Sequence, residues 1–399
     1  VTKETTADIV ALADAQAKAQ EKRKRRRKGA GAGAPPGPPS PDAAPDGGEP
    51  AMPVKPLGHA GGRFWFVTRA GEVRDFGAVE LHRRSGLADL FGGETEWLRA
   101  LHPQRDRKGE VVGFDAESAG PALVKLCHAE GLYDATILVR GIGTWRLVAT
   151  PDRPAGLLVH CGDVLLGYRP GFAAATSPAG KRWDGALYAA APPVERPAPA
   201  AAPIAEADEL LLALDRWNWA HHAAPHALLG WLAQAQLGAG PGWHPNALIT
   251  AASGSGKTWL LEHVLVPVMG PAARFSNRYT VAGVRQRMMG EARAFILDES
   301  EDKTKADADV VAGIIELFRR MASGKGVASL QGSQDGRGES GEIVGCALLA
   351  AISPPTLLPQ DASRFLVLEL RPATPGAMSE ADAQALAQRL ALLSPRLRA

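Results

Sequence analysis

The chain has 399 residues, 45% of them hydrophobic and 22% charged, a composition that excludes a fibrous or wholly disordered protein and provides for two or three domains. No uninterrupted apolar stretch approaches the ~20 residues of a membrane-spanning helix, and Cys127, Cys161 and Cys346 form neither a disulfide framework nor a zinc pattern. Secretion and membrane insertion are therefore not expected, and a reducing cytoplasm is. The net charge of +2 includes seven positive charges from one unbroken run, Lys22 to Lys28, so the remainder carries −5 and long-range attraction to a polyanion is concentrated there.

In chain order, Ile9, Leu12, Ala13 and Ala17 have helical spacing and lead into that run. The following Gly/Pro/Ala stretch cannot bury a core, so residues 1–52 are expected to be a basic helix and a disordered linker. Residues 53–192 read as a β-rich accessory domain of α+β type. Arg63–Thr68 and Glu72–Phe76 suggest a hairpin, and further strands are expected near Ala135–Arg140, Thr144–Val148, Gly156–His160 and Asp163–Tyr168. A helix is expected from Pro121, where proline suits the first helical position. The His160-Cys161 pair is read as a buried strand end. A proline-rich linker, residues 193–203, precedes two helices marked by Leu210, Leu211, Leu214 and Trp217, then by Leu228, Leu229, Trp231 and Leu232. His221, His222 and His226 lie between them without an acidic or thiol neighbour and read as solvated loop imidazoles.

The chemistry begins at Asn246–Thr250, a short apolar strand followed by Ala251-Ala-Ser-Gly-Ser-Gly-Lys-Thr258 and a helix through Leu260, Leu261, Val264 and Leu265. Strand, glycine-rich loop, Lys-Thr and helix stand in P-loop (Walker A) order. Small residues let backbone N–H groups wrap a polyphosphate at a helix N-terminus. The nucleotide-binding set is Ala251, Ser253, Gly254, Ser255, Gly256, Lys257, Thr258 and Trp259, with Ala251 replacing the motif's first glycine. Lys257 suits the β- and γ-phosphates and Thr258 a Mg²⁺ ion, so ATP and Mg²⁺ are the expected cofactors.

Ala292–Glu299 reads as a buried strand ending in two carboxylates, a Walker B pattern. Asp298 is expected to hold Mg²⁺ and Glu299 to activate water. A helix over about 307–321, a hairpin from Val327, strands at Cys346–Ser353 and Phe365–Leu370, and a helix over about 379–393 complete the chain. Residues 204–375 are thus expected to form an α/β P-loop NTPase domain, AAA+-like, with residues 376–399 as a C-terminal helix.

The order Walker A, Walker B, helix, hairpin, strand, arginine, strand resembles superfamily 3 helicases, in particular the helicase half of phage and plasmid primase–helicases, over about residues 205–372. The resemblance implies an ATP hydrolase acting as a helicase-like motor on single-stranded or forked DNA, working as a homo-oligomeric ring in replication of a mobile element. It implies Ser353 as γ-phosphate sensor, where the family usually has Asn, and Arg364 as a finger reaching a neighbouring subunit's nucleotide, where the family usually has two arginines. Lys325 and Arg337 become candidate DNA contacts on or beside the hairpin. No primase motif is visible, so priming would fall to a separate protein or to a region outside this sequence. The alternative reading keeps the ATPase but makes it a non-translocating switch in mobile-element maintenance or defence.

Overall fold

Continuous apolar strands separated by amphipathic helices are the signature of a parallel sheet buried on both faces, and such a sheet forms the larger half of the structure. The computed structural model describes residues 51–133, 139–298, 304–323, 327–332, 338–352, 355, 357–373 and 379–399, all within the unit Ala51–Ala399. The expected basic helix and nearly all of its linker lie outside the described residues.

Strands β1 (Lys55–Ala60), β2 (Arg63–Val67) and β3 (Val73–Gly77) form an antiparallel sheet. The β2–β3 hairpin matches its alternation of apolar and polar residues, while β1, which carries Pro56 and Gly58 and a bulge between them, gives no such signal. Helix α1 spans Ala116–Glu130, five residues earlier than the proline predicts. Asp115 is the true cap, its side chain accepting from the Glu117 N–H, so Pro121 lies inside the helix. Strands β4 (Gly143–Leu147), β5 (Gly156–His160), β6 (Val164–Tyr168) and β7 (Ala175–Pro178) then form an antiparallel meander.

Two helices, α2 (Ile204–Leu214) and α3 (Ala224–Gln236), lead into the parallel sheet. Trp217 lies beyond the end of α2, and His226 is within α3 rather than a loop. His221, His222 and His226 are exposed, and no group of three metal-ligating side chains occurs among the described residues. The sheet strands are β8 (Asn246–Ala251), β9 (Ala273–Ser276), β10 (Ala294–Leu297), β13 (Ala347–Ala351) and β14 (Phe365–Leu370). Their spatial order is β9-β10-β13-β8-β14, all parallel. An antiparallel pair, β11 (Val327–Gly332) and β12 (Gly338–Ile343), stands between β10 and β13 in sequence.

One face of the sheet carries Ile249, Ile296 and Leu348 against α2, α3 and the helix that follows β8; the other carries Leu248, Phe295 and Leu349 against Val284, Ile314 and Phe318. At the start of β8 the fully buried Asn246 satisfies its side chain by donating to the Phe318 carbonyl (3.1 Å) and accepting from the Ala347 N–H (3.1 Å). The C-terminal helix α7 (Glu380–Leu397) packs on this same chain: Leu390 joins the core and the Ser394 hydroxyl donates to the Val268 carbonyl at 3.0 Å. Backbone hydrogen bonds from Ala292 to Ile142 and from Thr144 to Ala292 stitch the meander to the parallel half.

Two buried histidines contrast in satisfaction. His160 ends β5, with Nε2 donating to the Ala189 carbonyl (2.8 Å) and Nδ1 accepting from the Gly162 N–H (3.0 Å). His244, fully buried before β8, has no hydrogen-bond partner on either ring nitrogen among the described residues. Burial holds both imidazoles below their ordinary value. The unfolded chain binds the proton first, near pH ~6.5, so stability is full above that pH and is lost as pH falls below it. His244→Leu removes two unsatisfied nitrogens and is expected to stabilise the protein by about 1–3 kcal/mol. It should also flatten the loss of stability between about pH 7.5 and about pH 5.5, read by denaturant unfolding, whereas His160→Leu should destabilise.

Candidate functional site

The site forms at the carboxyl end of the parallel sheet, where β8 turns into its helix. Ala251 is the last residue of β8, buried and paired with Leu370. Its backbone is not left-handed, which explains why a methyl replaces the motif's glycine without strain. Gly254 and Gly256 do need their freedom, with φ of +78° and +79°. The loop closes on itself through Ser255 N–H to the Ala252 carbonyl (3.2 Å). Gly256 caps a helix running over 257–269, made of Lys257–Leu260, a π turn Leu261–Leu265 and Val266–Met269.

Lys257 is the first residue of that helix and 8% exposed. Its ammonium donates to Asp298 Oδ1 at 2.5 Å, and the Thr258 hydroxyl donates to Asp298 Oδ2 at 2.8 Å. Asp298, just past the end of β10, is 1% exposed. Residues some forty positions apart thus share one buried contact, held by two strands separated by β13. Burial makes this ion pair sensitive: two charges removed from water must be fully compensated, and here the carboxylate receives both an ammonium and a hydroxyl donor.

The loop also offers unused donor capacity. Ser255 is 3% exposed and its hydroxyl has no partner among the described residues, while the first N–H groups of a helix lack intrahelical acceptors. A buried ammonium, a buried unpaired hydroxyl and helix N–H groups around a glycine-rich turn fit a polyphosphate. Thr258 and Asp298 supply adjacent oxygen donors suited to a hard divalent cation.

Several neighbours of the loop are not evident from the sequence. The Trp217 indole N–H donates to the Gly256 carbonyl at 3.3 Å, and its ring stacks on Trp259 with centroids 5.8 Å apart. Trp259 in turn lies against His263 at 4.7 Å. After β14, Ala373 N–H donates to the Gly254 carbonyl at 3.4 Å. Only the cluster of tryptophans at 217 and 219 following α2 hinted at such a wall.

Arg364 stands elsewhere. It precedes β14 at the amino end of the sheet, where its backbone carbonyl accepts from the Asn246 N–H at 3.0 Å. Its guanidinium donates to the Gln360 carbonyl (2.5 Å) and the Ser363 hydroxyl (3.2 Å) and lies 5.8 Å from the Trp243 ring centre. Arg364 precedes Phe365, which pairs with Asn246, and Leu370 pairs with Ala251, so six strand steps of ~3.3 Å put Arg364 about 20 Å from the loop end of β8. Glu299, Lys325, Arg337 and Ser353 lie outside the described residues.

No family model matches the chain, and no curated protein matches it. Solved structures do. The chain is similar to the apo C-terminal region of NrS-1, with 10% identity over 84% of this chain and 63% of that one, TM-score 0.39. A second apo structure of that region gives 10% identity over 86% and 66%, TM-score 0.40. It is also similar to the structure described as SCCmec type IV Cch, active helicase, with 11% identity over 83% and 55%, TM-score 0.40. The chain therefore spans less than two thirds of the length of each of these. Among the described residues no helix is long and apolar enough to cross a membrane.

Proposed function

We propose that this chain is an ATP-hydrolysing motor of the helicase type acting on DNA, with a P-loop domain of AAA+-like architecture at residues 204–375 and the β-rich region at 53–192 as its accessory domain. The observation carrying this reading is the buried convergence of Lys257, Thr258 and Asp298 at the carboxyl end of a parallel sheet. That is where open α/β sheets bind ligands, at the point where successive connections diverge to opposite sides. Here β8 is followed by a crossing to the far edge strand β9, and the sheet then returns through β10 and β13.

ATP is the substrate. Lys257 and the N–H groups of residues 254–258 hold its phosphates, and the Ser255 hydroxyl gains the acceptor it lacks among the described residues. Magnesium, which Thr258 and Asp298 would hold, supplies charge neutralisation at the phosphate oxygens. Glu299, next to Asp298, takes the proton of the attacking water, Ser353 senses the γ-phosphate, and Lys325 and Arg337 contact DNA. Because Arg364 is remote from the loop of its own chain, its role as a finger requires a second copy, which supports a homo-oligomeric ring.

The test is steady-state ATP hydrolysis with and without single-stranded DNA, alongside Glu299→Gln. The expected result is a strand-stimulated rate that Glu299→Gln abolishes while nucleotide binding survives. Hydrolysis indifferent to DNA would leave an ATPase switch, and absence of hydrolysis where nucleotide binds would sink the motor.

A further inference from the structure

Away from the nucleotide site, a cleft of 810 Å³ follows the outer edge of β9, lined by Arg274, Arg278, Arg287 and Arg293 together with Tyr279 and Phe275. The edge position leaves β9 with a neighbour on one side only, β10. Helix α5 (Val281–Met288) supplies Arg287, and the turn between β9 and α5 supplies Arg278 and Tyr279.

The charges in this cleft do not balance. Glu291 is the carboxylate that meets its arginines: Arg274 grips it through two bonds of 2.7 Å, and Arg293 adds a third at 2.8 Å. Arg278 and Arg287 are exposed, with no carboxylate in ion-pair range among the described residues. Among the described residues, four guanidinium groups against one carboxylate leave a surplus of three positive charges. The same surplus acts on Arg293. Its side chain is 10% exposed and its Nε is buried without a hydrogen-bond partner. Burial first, then Arg274 and Arg287, oppose its charge. A guanidinium remains protonated in proteins, so this group is a committed cation with an unused donor.

A last carboxylate-to-arginine closure would have cost the fold little, since exposed pairs form readily on this surface, as between Arg389 and Glu209. Here arginines instead converge with aromatic rings. A positive groove that tracks phosphates, with aromatic faces for bases, is the physical recipe for holding a single nucleic-acid strand without reading its sequence. The cleft also communicates with the nucleotide site: Ser276, at its upper end, accepts through its carbonyl from the Asp298 N–H at 3.1 Å.

We propose that the β9–α5 cleft, through Arg278, Arg287 and Arg293 with Tyr279, binds the backbone of a single nucleic-acid strand. This rests on the motor reading for its substrate class but not on the hydrolytic residues. The strand's phosphates meet Arg278 and Arg287 at the rim and Arg293 on the floor, and the Ser276–Asp298 backbone bond links cleft occupancy to the carboxylate of the nucleotide site.

The test measures binding of a fluorescent oligothymidylate to the full chain by anisotropy across a salt series. Arg278→Ala/Arg287→Ala is compared with Arg107→Ala/Lys108→Ala, an exposed basic pair on a distant loop. Every phosphate left without its arginine should reduce the slope of log affinity against log salt by about 0.7, so the cleft variant's slope should fall by about 1.4 and the control's should not change. Equal slopes and affinities in the cleft variant and wild type would overturn the proposal. So would a change in oligomeric mass with strand binding intact, which would make the cleft a protein interface. ATP turnover without added DNA, measured in parallel, separates the two claims. Strand binding that depends on the cleft in a chain without turnover would defeat the motor and keep the cleft, whereas intact turnover with cleft-independent binding would do the reverse.

Discussion

Replacing Lys257 with methionine is expected to abolish ATP turnover and, separately, to destabilise the protein without any nucleotide present. The second effect follows from burial. Lys257 and Asp298 are 8% and 1% exposed, so removal of the ammonium leaves an interior carboxylate without the cation it is paired with. Removing one partner of a buried pair costs about 3–5 kcal/mol, because the remaining charge is uncompensated. The double variant Lys257→Met/Asp298→Asn should therefore recover most of that stability, since the orphan charge is gone, while recovering none of the turnover. Denaturant unfolding and a phosphate-release assay on the same preparations check the two halves. If the single variant is as stable as wild type, the pair is solvated and the buried geometry is not what holds this site together. If the double variant regains hydrolysis, Lys257 is not the phosphate-binding cation.

The glycine-rich turn after β8 and the carboxylate after β10 are legible because their constraints are local. A glycine-rich turn between an apolar strand and a helix has to place its donors at the helix start, and Asp298 ends a strand whose four residues are all buried. What the sequence does not display is how far apart the strands lie. The β8 and β10 strands are not neighbours, since β13, from fifty residues further on, inserts between them, and only tertiary packing sets that order. Apolar spacing places Trp217 on a helix, but the helix ends at Leu214 and the indole serves instead as a donor to the glycine-rich loop. The helix start expected at Pro121 fails for a related reason: a favourable first-turn proline competes with an Asp115 cap, and the cap's side-chain hydrogen bond wins.

The cysteines illustrate a reading that depends on burial rather than pattern. All three are free and buried. Burial raises the Cys127 thiol to about 11 and the Cys346 thiol to about 12, so both remain protonated and poor nucleophiles at neutral pH. They act as small apolar core residues, Cys346 against the β8 layer and Cys127 on the buried face of α1. The arginines of the β9–α5 cleft show the opposite limit. Arg274, Arg278, Arg287 and Arg293 are scattered over twenty residues, and nothing in their spacing reveals that an edge strand, a turn and a helix bring them to one groove.

Arg364 provides the second large effect. Its position about 20 Å from the loop end of the neighbouring strand means that it cannot complete the proposed nucleotide site of its own chain. Arg364→Ala is expected to keep nucleotide affinity and to lower turnover by ~10³-fold or more, as for an arginine supplied across an interface. The decisive experiment mixes it with Lys257→Ala. Each variant alone is inactive, but in a head-to-tail ring assembled at random from equal amounts, about a quarter of the interfaces pair an intact Lys257 with an intact Arg364 from the next subunit. Turnover should rise to about that fraction of the wild-type value if the interfaces act independently, and should depend on protein concentration. A merely structural role, in which the guanidinium braces the Gln360 carbonyl and the Ser363 hydroxyl, predicts a different result: lower stability in Arg364→Ala and no recovery on mixing. Recovery without a stability loss assigns Arg364 to the neighbour's site, and it also fixes the order of the chain's two functional ends, with the loop of one subunit facing the amino end of the next subunit's sheet.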